Sequence, residues 1–236
     1  MIACRSLTKT FGRHRAVDQL SFEACPGKVT GFLGRNGAGK TTTLRILLGL
    51  ARPTYGSALI DGHAYADLRD PIGTVGAVLE ASTFHPGRTA HAHLTVLALA
   101  AGIPLVRVVE VLRIVELTAD ADMRVGHYSL GMRQRLSLAA ALLGKPRALI
   151  LDEPANGLDP QGIRWLRTFL RARASEGSAV LLSSHMLSEV AELVDNVVII
   201  DHGRLLHSGS VREMTAGGVR LEDAYFELTG SAPEAR

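Results

Sequence analysis

Only two cysteines, Cys4 and Cys25, and one tryptophan occur among the 236 residues, and aromatic residues make up 5%. Two cysteines without CxxC spacing exclude a disulfide framework and a four-cysteine zinc site, and both are expected to sit reduced in strands of a cytosolic protein. No basic-then-apolar leader opens the chain. The most apolar stretch, Leu94 to Val111, is broken by Thr95, Gly102, Pro104, Arg107 and Glu110, so it falls short of the roughly 20 residues that a membrane helix requires. Any work at a membrane is expected from one side of it. Lysine occurs only at positions 9, 28, 40 and 145, and the arginines are scattered. The formal charge is +3, which reads as a solvated surface rather than a nucleic-acid patch.

Hydrophobic residues make up 47% and charged residues 21%, an ordinary globular balance without disorder or fibrous repeat. Short apolar runs end in turn or polar residues: Val29 to Leu33, Ala148 to Leu151, Ala179 to Leu182 and Val197 to Ile200. Such runs are the pattern of strands buried on both faces of a parallel sheet. Helical patterns over Lys40–Leu50, Gly162–Ala174 and Leu187–Val194 separate them, and the alternation predicts an α/β core. Between about Pro86 and Leu143 no strand pattern occurs. There Arg107, Glu110, Arg113 and Glu116 recur at spacing three among apolar residues, as on an amphipathic helix. A helical subdomain inserted into the α/β core is expected. Asp201-His202-Gly203 before Arg204 to Ser208 reads as a hairpin turn, and Ser231 to Arg236 as a frayed tail.

Gly34-Arg35-Asn36-Gly37-Ala38-Gly39-Lys40-Thr41 fits G-x-x-x-x-G-K-[ST] between a strand and a helix. Glycines let backbone N–H groups converge on phosphate oxygens, and the helix N-terminus adds partial positive charge. Lys40 is expected to reach the β- and γ-phosphates of a nucleotide and Thr41 to bind Mg²⁺, with Thr42 completing the nucleotide-binding set; the motif alone does not say which kind of P-loop protein this is. The strand Leu149-Ile150-Leu151 ends in Asp152-Glu153. The first carboxylate of such a pair orients Mg²⁺ and the second, one residue beyond the strand, suits a general base. His85, His91 and His93 do not share a helical face, and no acidic or thiol partner completes a metal site with them.

Tyr128-Ser129-Leu130-Gly131-Met132-Arg133-Gln134-Arg135, then the acidic pair, then Pro154-Ala155-Asn156-Gly157-Leu158-Asp159-Pro160 and Ser183-Ser184-His185 follow in that order. With the phosphate loop, this arrangement resembles the ABC ATPase family across nearly the whole chain. The resemblance implies a RecA-like P-loop core with an antiparallel β subdomain and an inserted helical subdomain. Residues 1–85 and 146–212 would form the nucleotide-binding core, 86–145 the helical subdomain and 213–236 a C-terminal tail. It also implies that Phe11 stacks on adenine and that Ser129 and Gly131 contact the γ-phosphate of ATP held by the opposite subunit. Asp159 would cross the dimer interface, and His185 would bond the γ-phosphate and position water. Two copies would sandwich two nucleotides head to tail, most simply as a homodimer, against a separately encoded membrane permease on the cytoplasmic face.

The chain departs from the family's usual Leu-Ser-Gly-Gly-Gln at Leu130 and Met132. Glu80 stands where a glutamine normally senses Mg²⁺ and the membrane partner; a carboxylate still accepts from metal-bound water but lacks the amide donor. These departures, with Leu221-Glu222-Asp223-Ala224-Tyr225-Phe226-Glu227-Leu228-Thr229, resemble the branch of bacitracin- and lantibiotic-type exporters. An ATPase driving efflux is the implied activity. A translation or repair ATPase of this family would carry two cassettes, a coiled-coil or a cysteine cluster. A kinase would lack the Ser129 motif and His185, and a GTPase would need Asn-Lys-x-Asp. Glu153 and His185 argue against a non-hydrolysing module.

Overall fold

A computed structural model describes residues 1–79, 84–185 and 187–230. Strands β1 (Ile2–Phe11) and β2 (His14–Ala24) form an antiparallel hairpin, and β4 (Tyr55–Ile60) adds antiparallel to the other side of β1. The central sheet contains β3 (Val29–Leu33), β5 (Val75–Val78), β6 (Ala148–Leu151), β7 (Ala179–Ser184), β8 (Asn196–Asp201) and β9 (Arg204–Ser210). Its order is β5-β6-β7-β3-β8-β9, parallel except for the antiparallel edge strand β9. This is the expected α/β core with an antiparallel β subdomain.

The central strands are buried from end to end because each face meets its own core. Leu149 and Leu151 of β6 point into a core shared with the helices, while Ala148 and Ile150 point into a second core under the three-stranded sheet. The same alternation separates Val180 and Leu182 from Ala179 and Leu181 on β7. Phe22 of β2 stacks on Phe32 of β3 with ring centroids 5.2 Å apart, joining the two sheets. Each fully buried Leu or Ile contributes about 1.5–3 kcal/mol, so this two-sided burial sets the layer order.

Helix α1 (Lys40–Leu47) is shorter than its apolar pattern. Gly49 takes φ +69° and its N–H donates to Ile46 O at 3.0 Å, while Leu50 N–H donates to Arg45 O at 2.8 Å. That paired arrangement ends a helix by satisfying its last carbonyls. A single turn, α2 (Pro71–Thr74), precedes β5.

Helices α3 (Ala90–Ala100), α4 (Val106–Ile114) and α5 (Leu130–Leu142) fill the region in which no strand was expected, and Gly102 and Pro104 fall between the first two. On α4, Val108, Val111 and Leu112 are buried while Arg107 donates to Leu142 O at 2.7 Å, closing the end of α5. Glu116 lies past this helix at φ +58°, not on its polar face as the spacing implied.

Helix α6 (Pro160–Ser175) is capped by Asp159, whose Oδ1 accepts from Gly162 N–H at 2.7 Å, and α7 spans Leu187–Ala191. Two further differences from the sequence reading concern the ends. Cys25 lies just beyond β2 and is exposed, whereas Cys4 is buried in β1, where burial pushes its thiol pKa up to about 12. The expected core–tail boundary at 212/213 falls inside α8 (Val211–Met214), and the tail segment forms α9 (Leu221–Thr229); Leu221 and Tyr225 are buried in the helical core, so α9 is packed. Ser231 to Arg236 lie outside the described residues.

Candidate functional site

A cleft of about 550 Å³ opens at the C-terminal ends of β3, β6 and β7. In open α/β sheets ligands bind at these ends. One wall comes from the first hairpin, through Phe11, His14 and Ala16; the floor is the loop 34–41 and the start of α1; the far wall is Asp152, Glu153, Asn156 and His185.

The loop needs its glycines for separate reasons. A Cβ on Gly34 would come 2.6 Å from Ile200 O, and one on Gly39, at φ +103°, would come 2.4 Å from Ala16 O. Ala38 donates its N–H to Arg35 O at 3.1 Å and accepts from Gly203 N–H at 3.0 Å. Helix α1 has no acidic residue in its own first turn, and the positive end of its dipole faces the cleft.

Lys40 is buried, its ammonium donating to Gly34 O at 2.6 Å and Arg35 O at 3.3 Å and lying 3.9 Å from Glu153 Oε1. Thr41 Oγ1 donates to Asp152 Oδ2 at 2.9 Å. Thr42 lines the same floor. The hydroxyl of Thr41 and the carboxylate of Asp152 are hard oxygen donors within one hydrogen bond of each other, a set that suits Mg²⁺. Phe11 is half exposed at the end of β1, with Lys9 Nζ 4.8 Å from its ring centroid.

Asp152 is almost fully buried and its N–H donates to Val78 O at 2.7 Å. The parallel register of β6 with β7, Leu151 beside Leu182, brings Ser183 alongside it. Ser183 Oγ donates to Asp152 Oδ1 and accepts from Glu153 N–H at 2.9 Å. Glu153 takes φ +49°, a left-handed conformation costing on the order of 1–3 kcal/mol in a non-glycine residue. This turns its carboxylate into the cleft, where Oε2 lies 2.9 Å from His185 Nδ1. An ionised carboxylate only accepts, so Nδ1 is the donor of this contact.

Ser129, Gly131 and Asp159 do not line this cleft. Ser129 caps α5, its Oγ accepting from Met132 N–H at 3.2 Å, and a Cβ on Gly131 would lie 3.6 Å from Gly157 O. Glu80 lies outside the described residues. The sequence reading assigned no role to His14, Ala16, Asn156 or Ser183. Ser183 had a signal, as it ends an apolar strand in the same way as Asp152, but strand order is what makes them neighbours. No group of three or more His, Cys, Asp or Glu among the described residues is arranged to hold a metal on its own.

A phosphate loop at the C-terminal ends of a parallel sheet, facing a carboxylate pair and a histidine, defines a P-loop nucleotide-binding protein. The chain belongs to the ABC transporter family, whose pattern matches residues 17–156. It is the ATP-binding, ATP-hydrolysing subunit of such a transporter. It is 44% identical over 209 residues to the bacitracin transport ATP-binding protein BcrA of Bacillus licheniformis, covering 87% of this chain and 68% of that protein. It is 34% identical over 206 residues to the lantibiotic transport ATP-binding protein SrtF of Streptococcus pyogenes, covering 87% and 89%. A solved ATP-binding subunit of an ABC transporter superposes with a TM-score of 0.87 at 28% identity, over 97% of this chain and 99% of that one. The dimeric cassette MJ0796 shares the fold with a TM-score of 0.80 at 23% identity, over 90% and 99%. Subunits of this family bind ATP or ADP, form dimeric cassettes and work with membrane permeases. No helix among the described residues is long and apolar enough to cross a membrane.

Proposed function

We propose that this chain is the motor of a peptide-antibiotic efflux pump, acting as a homodimer on the cytoplasmic face of a membrane beneath a separate permease. The observation supporting turnover is the convergence of Lys40, Glu153 and His185 on one cleft. The likeness to bacitracin and lantibiotic transport proteins supports the cargo class. In this reading the chain is one cassette, with residues 86–145 as its helical subdomain.

Phe11 stacks on the adenine ring. The backbone of Gly34, Arg35, Asn36, Gly37, Ala38 and Gly39 binds the phosphates, with Thr42 beside them. The ammonium of Lys40 leaves the Gly34 carbonyl for the outer phosphates. Thr41 and Asp152 hold Mg²⁺, which when bound supplies charge neutralisation to the phosphates, and Glu80 adds a carboxylate to that set. Glu153 accepts the proton of the attacking water. His185 keeps that carboxylate oriented from Nδ1.

Ser129, Gly131 and Asp159 serve the nucleotide of the opposite copy. The N-terminus of α5, with its Ser129 hydroxyl and Gly131 N–H, suits a terminal phosphate. One copy presents half of each site, so neither copy hydrolyses ATP efficiently alone.

The test is a pull-down of a tagged Glu153→Gln chain from its native cell, with membranes solubilised in ATP and Mg²⁺. Stoichiometric recovery of an integral membrane protein is expected, together with heightened sensitivity to peptide antibiotics on deletion. Recovery with ribosomes or nucleic acid alone would overturn the transporter role.

A further inference from the structure

The cleft has walls from two different sheets, so some contact must hold them in register. The phosphate loop leaves β3 of the central sheet, whereas Phe11, His14 and Ala16 belong to the three-stranded sheet. Between them lies the β8–β9 turn. Gly203 N–H donates to Ala38 O in the loop at 3.0 Å, and Gly203 O accepts from Asp18 N–H on β2 at 2.9 Å. The packing leaves no slack there, since a Cβ on Gly203 would come 2.8 Å from Ala16 O and 2.9 Å from the Val17 α carbon.

Asp18 grips this turn at a second point. Its carboxylate accepts from Arg204 Nε at 2.7 Å and from Arg15 Nη1 at 2.8 Å, and the side chain is buried although both arginines are exposed. Exposed ion pairs alone carry little energy. Here the acceptor is a desolvated carboxylate, and bonds to it are charge-assisted and directional. The Arg204 bond, then Arg15, holds the Asp18 carboxyl below its ordinary 3.8, against the opposing effect of burial, so it stays ionised. Because Arg204 directly follows Gly203, the two contacts clamp the turn that meets the loop. Asp18 itself does not line the cleft.

We propose that Asp18, through Arg204 and Gly203, is a positioning residue for ATP that sets the distance between the base wall at Phe11 and the phosphate loop. This rests on the reading of Phe11 as the base-stacking residue. ATP spans both walls, so loss of the clamp weakens its binding without altering the chemistry at Glu153.

The experiment is a double-mutant cycle on the full chain, with Mg-ATP affinity measured by calorimetry and steady-state ATPase measured well below each variant's melting temperature. Asp18→Ala is expected to raise Kd and KM on the order of tenfold, the scale of losing charge-assisted bonds, with kcat at saturating ATP nearly unchanged. Arg204→Lys is expected to retain most of the affinity. Phe11→Ala alone should weaken ATP, and adding Asp18→Ala to it should cost much less than in the wild type. Should Asp18→Ala fail to fold, Arg204→Met keeps the backbone bond and is expected to raise Kd in the same direction.

Unchanged Kd and KM, or a fall in kcat or stability with Kd unchanged, would overturn the proposal. Full additivity of the two substitutions would overturn it while leaving the base-stacking reading standing. An unaltered Kd in Phe11→Ala would remove that reading and this inference together.

Discussion

Leu130 lies directly over the bare α carbon of Gly157: a Cβ built on Gly157 would stand 2.1 Å from Leu130 Cδ2. Gly157 is at φ +77°, in the loop that follows Glu153, and Leu130 opens α5 immediately after Ser129. The leucine that departs from the family's usual glycine is thus accommodated by a glycine elsewhere. Gly157→Ala is expected to displace the Leu130 side chain and strain the loop at φ +77°, and so to lower ATPase activity. Leu130→Gly in the same chain should restore part of it, the remainder being backbone strain of on the order of 1–3 kcal/mol. A double variant no better than Gly157→Ala in a turnover assay would break the link.

Glu153 is expected to act on water and Lys40 on phosphate, so their variants should fail differently. Glu153→Gln should slow turnover roughly 10²–10⁴-fold, the range for a lost general base, while ATP still binds. Lys40→Ala should lose ATP affinity in calorimetry. Equal rates for Glu153→Gln and wild type would end the base assignment.

Ser183 holds both carboxylate residues at once, donating to Asp152 and accepting from the Glu153 backbone. Ser183→Ala leaves a part-buried N–H and a buried carboxylate oxygen short of partners, at about 1–3 kcal/mol for the buried one. A fall in kcat of about tenfold or more, with a higher Mg²⁺ requirement, is expected from steady-state kinetics. Retained activity at low Mg²⁺ would show the serine to be dispensable.

His93 on α3 packs edge-on against Phe84, with ring centroids 5.0 Å apart, and its buried Nδ1 has no hydrogen-bond partner. Burial, then Arg88, holds its pKa below the ordinary 6.5. The fold therefore favours the neutral ring. Its contribution to stability is complete above 6.5 and is lost as pH falls through the lowered folded value. Urea melts should show the wild type losing stability in that range faster than His93→Leu does. Parallel curves would refute the assignment.

Much of the site was legible because its chemistry is local. The spacing of Gly34, Gly39, Lys40 and Thr41 fixes a strand-to-helix turn within a few residues, and Asp152-Glu153 closes an apolar strand in one step. The limits of helices were less legible. Gly49 ends α1 before its apolar pattern does, and Tyr225 anchors a helix within the segment 213–236 expected only as a C-terminal tail. Both depend on partners or carbonyls that periodicity does not register.

By itself the sequence determined where a phosphate-type loop and a carboxylate pair stand, since a Gly-rich turn and paired carboxylates carry their geometry in consecutive residues. It also determined that buried parallel strands alternate with helices, because two-sided burial selects continuous apolar runs. Only the tertiary structure decided that Ser183 stands beside Asp152, that Asp18 reaches Gly203 and Arg204, and that Leu130 covers Gly157. These pairs are far apart along the chain, and strand order, sheet-on-sheet packing and the orientation of α5 bring them together. Such contacts are chosen by the simultaneous burial of both cores, which no single stretch of sequence encodes.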